Sequence, residues 1–119
     1  MSIKEILEWQ WDGYAKFHRS RANLLLHIIA VPFFIVGVIL LVLSIFNLSL
    51  PLIAISVSLM VGSIVVQGIG HSKESLPPEP FTGPTNAILR IILEQLYTFP
   101  KFVICGNWLK AYKSTLYPE

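Results

Sequence analysis

From Ala22 to Ser72 the chain has no Asp, Glu, Lys or Arg, and the only groups in that stretch that titrate near neutral pH are His27 and His71. The whole chain has 119 residues, 54% hydrophobic and 13% charged. A soluble domain of that size has too little interior to hide so much apolar surface, and the positive mean hydropathy of +0.65 agrees. Lipid can cover it. The tract is longer than a signal-peptide core, and the residues before it mix Lys4, Glu5, Glu8, Asp12, Lys16 and Arg19, so it reads as part of the working protein and not as a leader.

Within the tract, Leu24–Phe46 is apolar except for His27 and Ser44, long enough at about 1.5 Å per residue to cross a hydrocarbon core of roughly 30 Å. Ser20 or Asn23 is placed to cap its start, and Pro32 within it predicts a kink. Asn47–Pro51 is a short turn, and residues 52–70 make a second span. Two spans joined by an uncharged turn form an antiparallel hairpin with every charge at the end of the two termini. Lys16, Arg19, Arg21 and Lys73 then put that end in the cytoplasm.

The flanking segments are less apolar. Ile3, Leu7, Trp11, Tyr14 and His18 follow helical spacing, which predicts an amphipathic helix over residues 1–21 that lies on a membrane surface or packs on other helices. The prolines at 77, 78, 80 and 84 predict a loop over 75–85. Residues 86–99 read as a helix ended by Pro100, with Arg90 and Glu94 as an i, i+4 ion pair. Residues 101–113 read as a further helix, crossing or only entering the membrane. The expected fold is a single all-α, membrane-embedded helical domain over 1–119: a two-span hairpin plus amphipathic or re-entrant helices.

Several functions are excluded. The net charge of +2 comes from basic residues interleaved with acidic ones, which makes no nucleic-acid surface. Cys105 is alone, so the chain has neither an internal disulfide nor a cysteine zinc motif, and Cys105 is expected to be a small buried hydrophobe. No GxSxG and no Gly-rich phosphate loop is present. A histidine-box di-iron desaturase needs far more imidazoles than the three available.

Those three are arranged suggestively. The hairpin brings His27 and His71 to one level, and His18 lies on the apolar stripe of the preceding helix. Asn23 and His27 share one helical face, and Gln67, His71 and Glu74 share another. Polar groups at the edge of a bilayer are costly unless partnered. Imidazoles suit iron, zinc, copper or nickel, and three of them leave coordination positions open. Gln67, Asn23 and Glu94 are placed to orient the ring nitrogens. Gly68 and Gly70 remove side chains where a ligand or another helix can approach closely, and helix packing through small residues is the simpler of the two readings. Two readings stay open: a metal-dependent membrane enzyme, or a non-enzymatic lipid- or haem-binding protein or scaffold with structural histidines.

The pattern Tyr14-x3-His18-x4-Asn23-x3-His27-x4-Pro32, followed by Gln67-x2-Gly70-His71 and Glu74, resembles the 2-hydroxy fatty acid dioxygenase family, small membrane proteins that act in conversion of phytosphingosine to odd-numbered fatty acids. The resemblance runs from Trp9 to Trp108 and is to a compact, bacterial branch. It implies an Fe(II)-dependent enzyme that uses O2 to shorten a 2-hydroxy fatty acid by one carbon, in the inner (plasma) membrane of a bacterium or the ER membrane of a eukaryote. His18, His27 and His71 correspond to the metal-binding, catalytic histidines, with Glu74, Asn23 and Gln67 as extra ligand or supporting groups. In the family the acidic residue commonly stands four positions beyond the last histidine; Glu74 stands three beyond. The substrate tail is expected among Leu25, Ile28 and Ile64.

Overall fold

The computed structural model describes Met1–Leu116, and every regular element among these residues is helical. Helix α1, Ile3–Tyr14, starts in a capping box: Ser2 accepts the Glu5 amide while the Glu5 side chain accepts the Ser2 amide. It does not run to residue 21 as one helix. The chain tightens into a 3₁₀ turn at Ala15–Phe17 and leaves helical geometry at His18. Ile6 and Tyr14 are its buried residues, whereas Ile3 stays exposed.

Helix α2, Arg21–Phe46, is capped by Ser20 and runs through Pro32. Helix α3, Leu50–His71, is capped by Ser49 and starts two residues earlier than expected, because Pro51 fits a first helical turn, where its missing N–H leaves no bond unmade. The two run past each other in opposite directions: Asn23 lies against Gly70, and Ser63 Oγ donates to the Ala30 carbonyl at 2.6 Å. Both are long and apolar enough to cross a membrane, yet only 28% and 17% of their most apolar windows is buried. Ile29, Phe33, Ile39, Ile55, Val61 and Val65 face outward. A soluble core helix would have these covered.

The remaining helices pack at the end where the termini lie. Helix α4, Pro84–Leu93, does not stop before Pro100: it widens into a π turn at Glu94–Thr98, in which the Phe99 amide reaches the Glu94 carbonyl, and continues as α5, Phe99–Ile104. Pro100 thereby falls in the first turn of a new helical register, where proline is tolerated. After a turn at Gly106, α6 spans Asn107–Leu116 and its Trp108 indole donates to the Leu24 carbonyl. Cys105 is exposed at that turn, not buried as expected, because α5 ends there and turns its last residues outward. The core of Tyr14, Leu24, Val31, Phe99 and Phe102 locks α1, α2 and α5 together.

A close approach of α2 to α3 depends on Gly70. A Cβ at this position would collide with the Asn23 side-chain oxygen, and Asn23 is fully buried. A Cβ at Gly62 would meet nothing. Gly70→Ala is therefore expected to lower stability by about 1–3 kcal/mol, whereas Gly62→Ala should leave it unchanged or raise it, as read by thermal unfolding in detergent. Equal behaviour of the two variants would refute the close approach.

Candidate metal centre

His18 stands just after the 3₁₀ turn, His27 about two turns into α2 and His71 at the last residue of α3. Their three rings meet at one point. Every pair of ring centroids is 4.9 Å apart, with interplanar angles of 88°, 77° and 87°, so the rings stand like the faces of a corner. Glu94, the first residue of the π turn, completes the group: one donor atom from each of His18, His27, His71 and Glu94 lies within 4.8 Å of the others.

The protonation pattern follows from the hydrogen bonds. His18 Nδ1 lies 2.7 Å from the Tyr14 carbonyl and His27 Nδ1 lies 3.0 Å from the Asn23 carbonyl. A carbonyl only accepts, so both Nδ1 atoms carry a proton, and in the neutral rings both Nε2 atoms then present lone pairs. Those two Nε2 atoms and Nδ1 of His71 are buried without a partner. Glu94 Oε2 faces His18 Nε2 at 3.6 Å and His27 Nε2 at 3.7 Å, too long for hydrogen bonds. Leaving a buried polar atom unpaired costs about 1–3 kcal/mol, so four convergent donors with no bond among them fit an ion between them better than an empty gap. Histidine nitrogens with one carboxylate oxygen suit a transition metal.

Glu94 is held in place by Tyr14, whose hydroxyl donates to Oε2 at 2.7 Å and whose ring stacks on His18 at 3.9 Å. Burial alone would push the Glu94 carboxyl up, but where no ion lies between them, positive charge on the facing His18 and His27 rings, together with the Tyr14 hydrogen bond, outweighs it and brings the carboxyl well below the usual carboxylate range. Burial, then the Glu94 charge, pushes the Tyr14 phenol up, which keeps it a donor. The expected Arg90–Glu94 ion pair is not formed. Arg90 instead donates to the Pro80 and Glu79 carbonyls at 3.0 and 2.8 Å, its guanidinium lying between the Trp9 and Phe81 rings. It pins the proline-rich loop to α1 and leaves Glu94 to the histidines.

The other sequence-predicted residues surround this group. Glu74 is not among the four donors. Its oxygens accept the Arg19 and Ser20 amides and the Asn23 side-chain N–H at 2.7 Å. Asn23 thus serves His27 through its backbone carbonyl and Glu74 through its amide. Gln67 turns to Gln95, and the two amides exchange hydrogen bonds of 2.8 Å in both directions, which fastens the π turn to α3. Glu94 as a donor was the main omission. The available signal was that it is the only charge between Arg90 and Lys101.

A cavity of about 940 Å³ opens onto the group, bounded by α1, the end of α3, the proline-rich loop and α4. His18, His71 and Glu94 line its inner end. Of the residues expected to hold a substrate tail, Ile64 lines it; Leu25 and Ile28, on α2, do not. Comparison with family models, curated proteins and solved structures gives no match.

Two variants test how the group is held. Tyr14→Phe keeps the stacked ring but removes the bond to Glu94, and should weaken divalent-metal binding about 10- to 100-fold in chelator competition. An unchanged affinity would show that Glu94 needs no anchor. Glu74→Ala orphans the Arg19 and Ser20 amides and is expected to destabilise the protein by roughly 1–3 kcal/mol in denaturant titration; a loss below the error of the titration would show that these bonds hold nothing.

Proposed function

We propose that this protein is an integral membrane, Fe(II)-dependent dioxygenase that converts a 2-hydroxy fatty acid and O2 into the fatty acid one carbon shorter, carbon dioxide and water. The observation that carries this reading is the meeting of His18, His27, His71 and Glu94, each with a ligand atom within 4.8 Å of the others, in a group where each imidazole has a buried nitrogen without a partner. The motif resemblance in the sequence points to the same three histidines and supplies the substrate. A bound iron would offer open positions for a 2-hydroxy carboxylate and O2 and a path for electrons between them.

The chain's own groups do the rest. His18, His27 and His71 present neutral nitrogens whose orientation is set by the Tyr14 and Asn23 carbonyls and by the packing of α2 on α3. Glu94 brings one negative charge, held by a phenol that stays protonated. The proline-rich loop, pinned by Arg90, forms one wall of the cavity beside the centre. The two apolar helices are read as a membrane-spanning hairpin, their charge-free turn at Asn47–Ser49 on the far side, and the termini and site in the cytoplasm. The rings of His27 and His71 are 4.9 Å apart with His18 equally near, which leaves no plane for a haem between them and favours a single ion.

Anaerobic reconstitution with Fe(II), followed by metal analysis, an optical spectrum and oxygen uptake with 2-hydroxypalmitate, tests the proposal. One iron per chain, no Soret band and substrate-dependent uptake with pentadecanoate as product are expected, and His27→Ala and His71→Ala should each lose the iron while remaining helical. Uptake no greater than that of the metal-free protein would overturn the oxygenase reading. Full iron in both variants would overturn the ligand assignment.

A further inference from the structure

Gly68 and Gly70 look alike in the sequence, but their surroundings differ. Gly70 faces Asn23, whereas a Cβ built on Gly68 meets no atom within 4 Å. Gly68 instead lines the cavity, between Ile64 and His71 on the same face of α3. Glycine is disfavoured inside a helix, and here it serves no close packing. What it provides is an absent side chain beside the histidine centre. The same face continues from Ile64 to Val61 and Val57, both exposed and apolar. From His71 to Val57 is about 21 Å of helix. Ile91 of α4 also lines the cavity. The cavity's lining on α3 ends at Ile64, and the exposed apolar Val61 and Val57 continue that face of the helix beyond it.

We infer that Gly68 holds open a lateral passage, through which the tail of a single-chain amphiphile runs from the histidine centre between Ile64 and Ile91 onto the lipid-facing side of α3. The inference rests on the chain being a membrane protein that acts on hydroxy fatty acids, and it makes Gly68 the residue that decides which tails are accepted. Because nothing surrounds its missing side chain, Gly68→Leu fills the passage without disturbing the helix pair. Gly62, exposed like Gly68 but outside the cavity, takes the same side chain on the same helix in Gly62→Leu, which serves as the control.

The test uses the full chain in phosphatidylcholine nanodiscs with a 2-hydroxypalmitate analogue bearing a mid-chain diazirine. After irradiation, the label is mapped by peptide mass spectrometry, alongside iron content and oxygen uptake. Label is expected on Val57–Gly68 and around Ile91, displaced by 2-hydroxypalmitate. Gly68→Leu should lose it and raise KM for 2-hydroxypalmitate at least about tenfold, equivalent to about two buried methylene groups. It should spare 2-hydroxyhexanoate and keep its iron and helicity; Gly62→Leu should behave as the unsubstituted chain. Labelling and KM unchanged in Gly68→Leu would overturn the passage even if oxygen uptake is intact. Labelling that depends on Gly68 in a protein without oxygen uptake would uphold the passage and overturn the oxygenase reading alone.

Discussion

The centre depends on one carboxylate that is not part of it. Glu74, three residues beyond the end of α3, accepts the backbone amides of Arg19 and Ser20 and the side-chain amide of Asn23. These contacts tie together the three segments that carry the histidines: the turn that presents His18, the first turns of α2 that lead to His27, and the end of α3 that bears His71. The amides of Arg19 and Ser20 precede α2 and would otherwise need water. Without these bonds each helix could still form, but the ends would be tied only by the Asn23 side-chain N–H on the Phe17 carbonyl and, further along the pair, by Ser63 on the Ala30 carbonyl.

The second constraint is the cost of polar groups inside an apolar protein. Among the described residues the buried polar side chains are mostly matched: Ser63 with Ala30, Gln67 with Gln95, Thr98 with Gln10. The unmatched atoms gather in one place, as the imidazole nitrogens of His18, His27 and His71, with Asn23 Oδ1 beside Gly70. A fold that satisfies its polar groups elsewhere and leaves three imidazole nitrogens unpartnered in one group with a carboxylate has concentrated its unsatisfied atoms where a ligand can relieve them. Tyr14 links this centre to the core, since the same ring stacks on His18, bonds Glu94 and packs on Phe102.

The π turn at Glu94–Thr98 explains why helical spacing pairs Glu94 with Arg90 whereas the structure places it in the histidine group. In an unbroken helix, Arg90 and Glu94 share a face and pair at i, i+4. Here the turn begins at Glu94 and widens, while the backbone carbonyls of the proline-rich loop and two aromatic rings take up Arg90. Widened turns of this kind recur at functional sites because they redirect a side chain without ending the helix.

Local and compositional properties were determined by the sequence alone. The missing charge from Ala22 to Ser72 requires an apolar setting, Ser20 and Ser49 stand where helix starts need a capping oxygen, and helical periodicity with an intervening turn puts His27 and His71 at the same level. Each depends on neighbours within a few residues or on a sum over many. Tertiary structure alone decided the non-local pairings: Glu94 with the histidines, Glu74 with the Arg19 and Ser20 amides, Arg90 with the loop, and Cys105 outside the core. It also separated two identical residues, Gly70 against Asn23 and Gly68 against open space. A side chain's chemistry can be read from its letter, but its partner depends on which surfaces meet, and that is settled only when the helices pack.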